Sequence, residues 1–111
     1  MAEYKDPEPI NREELLQKFS SENNNEICDG LLSMAFYEDD WKWAQDQCLY
    51  FLEHSDEDVK GVAVTCLGHI ARIHHSLDRE LVENALSKHL KDKNISGIVQ
   101  DTLDDIQIFM S

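Results

Sequence analysis

The sequence predicts an all-α domain of three stacked antiparallel helical hairpins, and three observations predict it. Apolar residues recur with the 3.6-residue helical period in successive segments. Polar residues able to cap a helix stand ahead of these segments. Segments 36 residues apart carry apolar side chains at matching positions. Only 4 glycines and 2 prolines occur in 111 residues, fewer turn-formers than strand-rich domains use. A chain of this length reads as one domain, residues 1–111, and can bury a core without disulfides or metal.

Pro7 and Pro9 keep the start extended. Asn11, with Glu14 three residues on, forms a capping box for a first helix over about 12–20. The polar run from Ser20 to Asn25 turns the chain. A second helix over about 25–37 places Ile27, Leu31, Met34 and Ala35 on one face. Glu38-Asp39-Asp40 is an acidic junction that offers an N-cap to a third helix, about 41–53. Trp41, Ala44, Cys48 and Leu52 follow the helical period there. Ser55 and Asp58 are spaced as a second capping box before a fourth helix, about 56–74. That helix is apolar round most of its circumference, which places it centrally. His74-His75-Ser76-Leu77 forms a turn, and Asp78 caps a fifth helix reaching about 91. Asn94 or Ser96 caps a sixth, ending near Met110. The hairpins therefore span about 11–37, 40–75 and 78–110.

The repeat is one of apolar character. Leu16 aligns with Leu52, Ile27 with Ala63 and Val99, and Leu31 with Leu67 and Leu103. Met34 aligns with Ile70 and Ile106, Val59 with Ile95, and Ile73 with Phe109. One hairpin cannot bury its apolar face alone, so a stack follows. The middle unit carries a family resemblance. Leu49-Tyr50-Phe51-Leu52, Asp56, Val59-Lys60, Ala63, Leu67-Gly68 and Ile70 resemble a HEAT repeat over residues 41–74. Lys60 stands where that pattern has arginine, and the turn lacks proline. The resemblance implies a HEAT-like right-handed α-α superhelix, with the second helix of each hairpin on the concave face. It carries no function by itself.

The charge narrows the partner. Asp and Glu number 23 against 10 Lys and Arg, a formal net charge of −13. Nucleic acid and anionic membranes would be repelled, whereas a basic protein partner would be attracted. The same acidity also serves solubility alone. Three cysteines, Cys28, Cys48 and Cys66, fit neither a disulfide framework nor a zinc pattern. They fall in apolar stripes, as buried thiols in a reducing compartment do. No apolar core of a secretion signal follows Met1, and no apolar run approaches the roughly 18–20 residues of a membrane span. These features predict a cytoplasmic protein.

Chemistry is sparse. His54, His69, His74 and His75 lack the shared-face spacing of a metal site, and His89, between Lys88 and Lys91, reads as solvated surface. Acid pairs such as Asp39-Asp40 and Asp104-Asp105 are expected in so acidic a chain. No phosphate loop or nucleophile motif occurs. No catalytic residue, cofactor or metal is expected.

Binding has better candidates. Trp41 lies on the core stripe of its helix, while Trp43 lies on a second stripe with Gln47, Tyr50 and His54. Trp43 either packs between hairpins or anchors a partner. The second helices of the hairpins carry a polar stripe: Asp29 and Ser33, then Thr65, His69 and Arg72, then Asp101 and Asp105 with Asp104 beside them. This describes a polar groove with acid at both ends, and Glu38, Asp39 and Asp40 form a second acidic candidate.

Size, acidity and the HEAT-like unit together resemble bacterial immunity proteins of contact-dependent growth inhibition systems, some of which are helical solenoids that guard against ribonuclease toxins. That resemblance implies a monomer in a 1:1 complex with a basic nuclease toxin domain, blocking its active site. A HEAT-like scaffold or adaptor is the alternative.

Overall fold

Side-chain caps decide where most of the helices begin. The computed structural model describes residues 9–110, and every regular element among them is a helix. These are α1 (Arg12–Phe19), α2 (Asn24–Tyr37), α3 (Trp41–Phe51), α4 (Glu57–His74), α5 (Arg79–Ser87) and α6 (Ser96–Phe109). The extended start expected at Pro7 lies outside the described residues. Asn11 Oδ1 accepts the Glu14 N–H at 2.8 Å, Asn23 Oδ1 the Asn25 N–H at 2.9 Å, and Asp40 Oδ1 the Trp43 N–H at 3.1 Å. Each satisfies a donor that the helix cannot pair internally.

The fourth helix starts one residue later than the Ser55–Asp58 box suggests. Asp56 is the cap, and its Oδ2 accepts the Val59 N–H at 3.0 Å. The Asp56 N–H in turn donates to His54 Nδ1 at 2.9 Å, which fixes Asp56 just ahead of the helix.

The third hairpin departs further from expectation. Asp78 occupies the N-cap position of α5 but makes no capping bond. Its Oδ2 instead accepts from Lys42 Nζ at 2.7 Å and from Gln45 Nε2 at 2.9 Å. Gln45 Oε1 accepts the Asp78 N–H at 2.7 Å, so the amide and the residue are paired both ways. The fifth helix ends at Ser87 rather than 91. Neither Asn94 nor Ser96 caps α6, whose N-cap is Ile95. The Asp92 carbonyl accepts the Ile95 and Ser96 N–H groups at 3.1 and 2.8 Å, and Asn94 Nδ2 donates to Glu57 Oε1 across to α4.

Packing centres on α4. The pairs α1–α2, α3–α4 and α5–α6 form the hairpins, and α4 packs against α2 on one side and α6 on the other. Val59, Ala63, Val64, Cys66, Leu67, Ile70 and Ala71 of α4 are fully buried. Ile27, Leu31 and Met34 match them from α2, and Val99 and Ile106 from α6. The repeat misplaces its edges. Leu15 is buried, whereas Leu16 is 48% exposed. The reason is that α1 packs chiefly on α2, and a helix with one main neighbour buries a narrow stripe. Ile73, in the last turn of α4, is exposed, and Trp41 is half-buried rather than core.

The α4 helix ends on His75, which is left-handed at φ 53°. A side chain there is unfavourable, so something must hold it. The His75 N–H donates to the Ala71 carbonyl at 2.9 Å. Its Nδ1 donates to the Phe109 carbonyl at 3.2 Å, tying the turn to the end of α6.

Candidate protein-binding face

The α2, α4 and α6 helices lie side by side, and a groove runs between α4 and α6. Gly61, Thr65 and Gly68 fall at i, i+4 and i+7 of α4, one face of a helix. Two hollows lie above them. One, of about 510 Å³, is bounded by Glu57, Asp58, Gly61 and Thr65 of α4, Leu32 of α2 and Ile98 of α6. The other, of about 420 Å³, is bounded by Thr65, Gly68, His69 and Arg72 of α4 and by Ile98, Asp101, Asp105 and Phe109 of α6. They share Thr65 and Ile98.

The groove's small floor is built by the glycines. A methyl at Gly68 would lie 3.6 Å from Asp105 Oδ2 and from Thr102 Cγ2, and one at Gly61 3.4 Å from Ile98 Cδ1. Buried Thr102 joins the two walls, its hydroxyl donating to the Val64 carbonyl at 3.3 Å. His69 closes one end. Its ring packs on Phe36 at 4.9 Å between centroids, and its Nδ1 accepts from an Arg72 guanidinium nitrogen at 2.9 Å. Burial, and then the Arg72 charge, hold the His69 pKa below its ordinary 6.5, although Asp105 pulls the other way. The imidazole is therefore neutral at pH 7, with its proton on Nε2.

The structure thus brings together Thr65, His69, Arg72, Asp101 and Asp105. Asp104 is exposed on α6 outside the groove lining, where it accepts from Gln100 Nε2 at 3.1 Å. Ser33, expected on this face, is only 2% exposed. It faces inward because α2 packs closely against α4, so it offers no partner surface. Asp29 is exposed on α2 outside both hollows, and its carboxylate lies near Cys28 along with those of Asp56 and Asp58. Burial and these carboxylates push the half-buried Cys28 thiol up to about 11. Full burial holds for Cys48 and Cys66 only; a hydrogen bond with Cys48, and then burial, raise the Cys66 pKa well above the ordinary range.

The α2–α3 junction gathers a second group around one cation. Arg12 lies 3.4 Å from Glu38 Oε1 and 3.6 Å from Asp40 Oδ2, and its guanidinium sits 4.2 Å above the Trp43 ring. Glu38, Asp40 and Trp43 are therefore engaged within the chain, with Asp39 exposed beside them. Trp43 is half-buried, so it belongs partly to packing. Lys42, Lys60 and Arg79 also lie against carboxylates, which leaves the acid surplus of the α4–α6 face without those cations. His89, read as solvated surface, keeps only 12% of its side chain exposed and lies 3.4 Å from Glu53.

Sequence reasoning missed Gly68, Ile98 and Phe109 as groove lining, along with the acids Glu57 and Asp58. A signal for the floor existed in the i, i+4, i+7 spacing of small residues on a helix otherwise apolar. Nothing local marked the α6 wall, because its partner lies a full repeat away.

Among the described residues no helix is long and apolar enough to cross a membrane. No protein-family model matches the chain, and no curated protein matches it. A solved structure does match: a chain in the crystal structure of a CDI complex from Cupriavidus taiwanensis is similar at a TM-score of 0.89. The two share 34% sequence identity, and the match covers 100% of each. Identity at that level over the full length of both chains goes beyond a shared arrangement of helices, and the chain belongs to the family of that component of the CDI complex.

Proposed function

We propose that this chain is an immunity protein of a contact-dependent growth inhibition system. It binds a basic toxin domain in the cytoplasm as a 1:1 complex and neutralises it by covering its active site. It acts by binding and carries no catalytic step, cofactor or metal. A ribonuclease is the favoured toxin, because an enzyme that holds phosphate needs a positive cleft that an acidic protein can occupy. A HEAT-like right-handed stack is the frame of this reading, with α2, α4 and α6 presenting the binding face and Glu38, Asp39, Asp40 and Trp43 at its margin.

The observation that carries the proposal is full-length kinship with a chain that was crystallised in a CDI complex. The formal net charge of −13 supports a basic partner. The test is co-expression with the toxin domain encoded immediately upstream of this chain's gene. Cells should survive the toxin only when this chain is present. Equal killing with and without it would overturn the reading and leave the scaffold alternative.

A further inference from the structure

We infer that the groove between α4 and α6 seats an arginine-bearing segment of the toxin, with a guanidinium held over Gly68 by Asp101 and Asp105. The inference rests on the immunity reading and assigns its contact.

Two mid-helix glycines are the first reason. Glycine inside a helix is about 1 kcal/mol less favourable than alanine. Close packing can require it, but here it does not. A methyl at Gly68 or Gly61 would meet α6 at 3.6 or 3.4 Å, an ordinary contact distance. Both glycines are buried beside α6, and each borders one of the two hollows. The chain keeps two unfavourable residues that its own packing does not need, which is expected where another molecule occupies the space.

The chemistry of the walls selects the occupant. Asp105 overhangs Gly68, and Asp101 stands one turn earlier on the same face of α6. Arg72, the cation lining this hollow, donates to His69 at its end. Ile98 and Phe109 supply apolar flanks for an alkyl stem and a flat group. A planar guanidinium can bond two carboxylates and rest on such a flank, which an ammonium does less well. The formal net charge of −13 is complementary to a basic segment.

The test measures affinity and melting temperature together, using the full chain and the toxin domain encoded upstream. Gly68→Ala and Gly61→Ala should melt at or above the parent temperature, because alanine favours the helix, yet weaken binding by about ten-fold or more. Asp105→Asn and Asp101→Asn should weaken binding similarly and reduce its salt dependence. Gly97→Ala, where an added methyl meets nothing within 4 Å, should leave affinity unchanged. Arginine-to-lysine substitution across the toxin surface should reveal an arginine whose loss mimics Asp105→Asn. Folded groove variants that bind like the parent would overturn the assignment, as would a toxin indifferent to every such substitution. A parent chain that does not bind the toxin at all would instead remove the immunity reading itself.

Discussion

Gln45 holds two hairpins together from a fully buried position. Its amide satisfies both the carboxylate and the backbone N–H of Asp78, 33 residues away. Replacing it with leucine leaves the Asp78 N–H without its acceptor, so Gln45→Leu should lower unfolding free energy by roughly 1–3 kcal/mol in urea titration. No local pattern announced this pair. Asp78 was legible as a cap because its sequence context is that of a cap, yet a stronger long-range partner claimed its carboxylate. Ser33 was misread for a related reason: helical spacing gives a residue's angle but not how near the neighbouring helix comes. His69 makes a prediction in pH. Its folded pKa is lowered, so the unfolded chain, near 6.5, takes a proton more readily. The stability linked to His69 is full above about pH 6.5 and is lost as pH falls towards the lowered folded value. His69→Gln should remove that part of the slope in thermal melts recorded from pH 7 to 5, whereas an unchanged slope would assign it elsewhere.

Helices differ in how firmly they begin. Asp56 gives α4 a carboxylate cap, and Glu57 and Asp58 place further negative charge at its positive end. Asp56→Ala should cost about 1 kcal/mol of stability, readable in chemical denaturation. By contrast α6 starts on Ile95 with no side-chain cap. Its first-turn amides should exchange with solvent faster than those of α4, a difference that hydrogen-exchange mass spectrometry resolves. Most of the helical layout was readable because periodicity and polar starts are local signals. The boundary between α5 and α6 was not. Lys88 to Ile95 carries no glycine or proline to mark a break, and a backbone carbonyl takes the place of a cap.

Across the whole molecule, α4 is the shared wall. Its apolar residues are covered by α2 and α3 on one side and by α6 on the other, so no hairpin can leave without exposing them. Leu67→Ala, at a fully buried position, should lower stability by roughly 2–5 kcal/mol and should do so in a single transition by circular dichroism and tryptophan fluorescence alike. Two separated transitions would mean that the hairpins unfold independently, as loosely coupled repeats do.

The end of α6 is bound up with the interior. The Phe109 carbonyl receives His75 Nδ1, and the Phe109 side chain borders the groove. A label attached at the last turn of α6 would therefore sit beside both the latch that fixes the left-handed bend and the mouth of the cleft. Fluorescent reporters belong away from that turn, and affinities taken with one attached there would be blurred by the label itself.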